Sequence, residues 1–225
     1  MGHRNILNTR LLPLSILISS LVSGGAIAAY APMPGATLAI GNGGSFTVTT
    51  NTPVVNTKAP EDILLESIFP EGQTITPEMI TQAESQIATM QQNHQQQIKY
   101  IETDIAAFAP AQKKQANKEL DSFKGVFEKN ITQLEAAVAY AKDKTEDNKN
   151  KLNVAAKDAF TASLNSKAPG QFTAEEANSL FHVSLTNDKS AISTELKQKV
   201  TVIEQRQQAS QNTLTKVQNY LTQGV

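Results

Sequence analysis

The chain has 225 residues, 20 basic against 21 acidic side chains, no cysteine and no tryptophan. That balance argues against general nucleic-acid binding, which needs a clustered basic surface. The missing cysteine excludes disulfide staples, thiol chemistry and a lipid carried on a cysteine, and the core must draw its aromatic burial from eight Phe and four Tyr.

Residues 1–29 read as a secretory signal peptide. His3, Arg4 and Arg10 precede the apolar run from Leu11 to Val22, and the small residues Ala26, Ala28 and Ala29 follow. Pro13, four serines and two glycines interrupt the run, so it meets poorly the roughly 20 predominantly apolar residues that a spanning helix wants. Cleavage after Ala28 or Ala29 takes two arginines and no acid, leaving 18 basic against 21 acidic residues, a net charge of −3. The processed chain is therefore expected to be exported, to the periplasm or the extracellular space, and signal style points to a bacterial envelope.

Residues 30–75 are expected to form a Gly/Thr/Pro-rich arm, flexible or partly extended. Gly41, Gly43 and Gly44 cost backbone entropy to order. Phe46 and Val48 alternate with Thr47 and Thr49 in the manner of a short strand, and Val54 and Val55 are the other half of a candidate hairpin. Pro53 weakens that second half. A short apolar helix at Glu61 to Ile68, carrying Leu64, Leu65 and Ile68, closes the arm.

From residue 76 onward the period is helical. Thr76 is placed to cap, Pro77 to open the first turn and Glu78 to complement the helix dipole. Apolar or seam residues recur every three or four positions at Ile80, Ala83, Ile87, Met90, His94, Ile98, Ile101, Ile105 and Phe108. Ala109-Pro110 ends that helix. A second stripe runs Leu120, Phe123, Phe127, Ile131, Leu134, Val138 and Ala141, which predicts an antiparallel hairpin of two long helices. A turn near Lys144 to Asp147, with Thr145 as cap, leads to a third helix carrying Leu152, Ala156, Phe160 and Leu164. Thr173 and Glu176 form a capping box that opens a short helix through Phe181. The last helix is expected over about 188–222, with Gln207 and Ser210 as polar members of its stripe. The expected fold is all-α: an elongated bundle of three to four long amphipathic helices over residues 76–225, behind the N-terminal arm.

The chemistry-bearing residues are few. His94 faces a seam, yet no carboxylate lies one turn away, so it reads as a hydrogen-bonded core histidine rather than a metal or haem ligand. Glu61-Asp62 and Glu175-Glu176 sit at helix starts, where the dipole suffices to explain them. Asn130-Ile131-Thr132 matches a glycosylation acceptor but falls in mid-helix. No nucleophile elbow or zinc-protease motif occurs. No catalytic, cofactor or metal residue is assigned and no small-molecule substrate is identified. The reading is a non-enzymatic structural or partner-binding subunit, binding a protein or itself, with no cofactor and no nucleic acid. Phe46, Val48, Val54 and Val55 are the candidate binding arm, on the model of strand addition. A membrane-active, pore-forming protein is the second reading, and an enzyme without a recognisable motif the third.

Overall fold

The computed structural model describes residues 55–66, 68–69, 72–203, 205–206, 209 and 212. The signal-like segment, the arm through Val54 and the polar stripe positions Gln207 and Ser210 lie outside them. Among the described residues every regular element is helical. These are α1 (Pro60–Glu66), α2 (Pro77–Ala106), α3 (Pro110–Lys142), α4 (Glu146–Lys167), α5 (Ala174–Thr186) and a 3-10 turn at Lys189–Ala191. Helix α6 begins at residue 194.

Helix α2 starts where its capping chemistry dictates. The Thr76 hydroxyl accepts from the Met79 amide, Pro77 supplies the first turn, and Glu78 is held below the usual carboxylate range by its own backbone amide and by Thr76. The 30 residues of α2 and 33 of α3 make rods about 45 and 50 Å long. The two align antiparallel through three polar links: Lys142 to Glu84, Gln91 to Glu135 at 3.3 Å, and Lys124 to Glu102 at 2.8 Å. Seven residues separate the first two links on each helix and eleven separate the next two, so the register holds without slippage along the hairpin. Between the links run the two apolar stripes. Ala83, Ile87, Met90, His94, Ile98, Ile101 and Ile105 are buried on α2, and Leu120, Phe123, Ile131, Leu134 and Val138 on α3. Phe127 is partly buried, its ring lying against His94.

Helix α3 buries a second face as well. Val126, Asn130, Gln133, Ala137 and Tyr140 recur every three or four residues and are all buried. This second stripe lets α3 pack on α4 as well as on α2. The α3–α4 turn is three residues long, with the Thr145 side chain accepting from the Asn148 amide. Ser122 bonds Ser166 at 3.3 Å and Lys129 approaches Asp158 at 3.7 Å, which sets α4 antiparallel to α3. Leu152 and Ala156 of α4 share a core with Ile131, Leu134, Ala137 and Val138 of α3. Phe160 and Leu164 turn instead to α5 and α6, where Ala177, Leu180, Leu196 and Val200 complete a separate cluster.

Helix α1 is part of the same packed body. Leu64, Leu65, Ile68 and Phe69 are 1–5 % exposed and join the core with Leu152 and Leu185. Helix α5 opens on the expected capping box: Thr173 accepts from the Glu176 amide and Glu176 accepts from the Thr173 amide. That amide, then Lys199, keeps the Glu176 carboxyl below its ordinary range. The helix runs to Thr186, past the expected end near Phe181, because Leu185 still has a buried place to fill. It stops at Asn187, whose φ of 59° is the left-handed conformation that terminates helices. Thr173→Ala is expected to cost about 1 kcal/mol, measured as a lower urea midpoint, while Thr173→Ser stays within a few tenths of the parent.

Candidate functional site

The residues singled out for partner binding meet the described structure at one point. Phe46, Val48 and Val54 lie outside the described residues, and Val55 is the first residue inside them. Val55 is 45 % exposed, a large share for an apolar side chain. The next residue ties the chain down: the Asn56 amide donates to the Thr186 carbonyl at 2.7 Å. Lys58 then pairs with Glu66 at 2.7 Å across α1. The arm therefore joins the helical body at the C-terminal end of α5, where the Thr186 carbonyl would otherwise lack an intrahelical donor. The end of α5 could not be foreseen from the apolar pattern, so neither could this anchor.

His94 is buried, with 7 % of its surface exposed, and its ring stacks on Phe127 at 3.6 Å with 8° between the planes. Phe123 lies 5.1 Å away and tilted. Burial, and secondarily the charge of Lys124, lower the imidazole to about 4, so the ring is neutral at physiological pH. His182 lies on the helix that carries the arm's anchor. Among the described residues no three His, Asp or Glu side chains gather as a metal would need.

The paired acids sit in first turns, as their positions suggest. Glu61 and Asp62 also act on Tyr140, whose phenol is raised first by burial and then by these two charges. Asn130 of the glycosylation-like triplet is 5 % exposed, with its side-chain oxygen unpartnered, so it is closed to a modifying enzyme in the folded chain. The outer face of α2 carries an open, shallow depression lined by Pro77, Glu78, Thr81, Gln82, Ser85 and Gln86. It holds one carboxylate, that of Glu78, among hydroxyl and amide side chains. No helix among the described residues is long and apolar enough to cross a membrane. No protein-family model, curated protein or solved structure matches the chain.

Proposed function

We propose that this chain is an exported, non-enzymatic helical protein that serves as a structural or partner-binding subunit of the bacterial envelope. The finer architecture belongs to the same reading: the long helices form an elongated bundle of three to four members that acts as a scaffold, and the arm is its binding element. The observation that carries the reading is the junction at Val55 and Asn56. An exposed valine stands beside a backbone bond that fixes where the Gly/Thr/Pro-rich segment departs from the helices. A segment of that composition orders most readily on another protein, and Phe46, Val48, Val54 and Val55 supply the alternating side chains that strand addition uses.

The test is site-specific photo-crosslinking of the full chain in its native cells. Probes at Phe46 and Val55 are expected to capture a protein of defined mass, or a second copy, whereas a probe at Val154 on the exposed face of α4 captures none. Adducts from Val154 alone, or the same adducts from all three sites, would remove the arm from this role. Retention of the full-length, uncleaved chain in the cytoplasm on fractionation would remove the envelope assignment.

A further inference from the structure

Helix α3 meets α4 along a face that is not wholly apolar. Among the described residues five side-chain oxygens are buried without a hydrogen-bond partner, and three of them belong to this pair of helices: Asn130 Oδ1 and Gln133 Oε1 on α3, and Ser163 Oγ on α4. Asn130 is 5 % exposed, Gln133 3 % and Ser163 6 %. Asn130 and Gln133 are three residues apart, so their side chains are neighbours on one face of the helix. The Lys129–Asp158 and Ser122–Ser166 links fix what lies across from them. In that register Gln133 stands level with Ala155, and Asn130 falls between Ala155 and Ala159. Both alanines are buried, at 8 % and 0 % exposed, yet neither joins the apolar cluster of Leu152 and Ala156 or that of Phe160 and Leu164.

We propose that the α3–α4 seam binds an internal water, shared by the side-chain oxygens of Asn130 and Gln133. A dry seam would leave both oxygens with neither water nor protein, at the desolvation cost of two acceptors. The methyl groups of Ala155 and Ala159 carry no donor, and they are small enough to leave space beside them between the two backbones. Both unmet groups are acceptors. A water molecule has two hydrogens to give, and two acceptors one helical turn apart can take one each. A hard cation would gather about six oxygens, carboxylates among them, and so suits this neutral pair less well.

The shared water gives substitutions in this seam a sign that a dry seam cannot give. If the oxygens were dry, an apolar side chain of like shape at either position would relieve a penalty and stabilise the fold. With the water in place, the same change removes one of its two partners and strands the other amide. Changing both positions together removes the water and both acceptors at once, so no polar group of the pair is left unmet. The two sites are therefore coupled through the water, and their effects do not add.

Two measurements on the full chain test this. The first is the nuclear Overhauser effect between water and the Ala155 and Ala159 methyls, recorded in the laboratory and rotating frames. A water held for longer than the molecule takes to tumble gives peaks of opposite sign in the two, and such peaks are expected. They should vanish in the double variant Asn130→Leu, Gln133→Met and persist in Ser163→Ala, which separates the amide pair from the nearby hydroxyl. The second is urea unfolding. Asn130→Leu and Gln133→Met are each expected to lower the midpoint, although each new residue is at least as good a helix former, and the double variant should lose clearly less than the sum. No such peak in the wild type, peaks lost in Ser163→Ala or kept in the double variant, or higher midpoints for both single variants with gains that add would overturn the shared water. The wild-type and Ser163→Ala spectra decide the matter even where the double variant fails to fold.

Discussion

Replacing Leu152 by alanine is expected to lower the stability of the fold by about 3–4 kcal/mol, the middle of the range for a buried leucine cut to alanine. Leu152 has no exposed surface and sits in a cluster fed by α1, α3, α4 and α5. Rigid helices on several sides leave little freedom to collapse into the space, so the cavity adds to the lost transfer energy. A loss of this size is a large part of the 5–15 kcal/mol that a domain commonly has. The contrast lies two residues on. Val154 is 60 % exposed on the same helix, and Val154→Ala should be neutral or slightly stabilising, since alanine is the better helix former. Urea unfolding reads both: a lower midpoint at unchanged slope for Leu152→Ala, and an equal or higher midpoint for Val154→Ala. Equal losses at the two sites would mean that Leu152 is not enclosed as described.

The contrast also shows what the sequence makes legible. Helices α2 and α3, their proline break, the Thr145 cap and the Thr173–Glu176 box were all readable, because each rests on local chemistry or on an uninterrupted apolar stripe. The second face of α3 was not readable. Two of its five members, Asn130 and Gln133, are polar, and a search for apolar recurrence passes over them. Their buried oxygens lack partners among the described residues, so burial there comes from the fit of α3 against its neighbours and not from affinity for an apolar setting. The end of α5 was misplaced for a related reason. His182, Ser184 and Thr186 look like a fading helix, whereas Leu185 is buried and the stop signal is the left-handed Asn187. Of the candidate site, the sequence supplied the composition of the arm but not its anchor, because a backbone bond from Asn56 to Thr186 leaves no trace in residue type. His94 was legible as a seam residue, and its partners Phe123 and Phe127 lay in the facing stripe.

Ala156→Leu should be nearly as damaging as the cavity at Leu152, at about 2–3 kcal/mol, and for the opposite reason. Ala156 is completely buried on α4 and shares its cluster with Ala137 of α3, which is also completely buried. By the register of the Lys129–Asp158 and Ser122–Ser166 links the two alanines lie at different levels of the α3–α4 seam. Each methyl-sized side chain lets the backbones come close at its own level, and a leucine at 156 must displace one rod or leave its preferred rotamer. Helix propensity hardly changes between alanine and leucine, so the whole loss reports packing. A control at Lys157, exposed one residue along, should accept leucine within about 0.5 kcal/mol. The pair Leu152→Ala and Ala156→Leu then forms a cycle. The sites lie one helical turn apart in one cluster, so the added leucine can reach part of the space that the removed one vacates. The double variant should therefore lose less than the sum of the single losses, by at least about 0.5 kcal/mol. Strict additivity in urea unfolding would place the two side chains in separate pockets, and their membership of one packed cluster would fail with it.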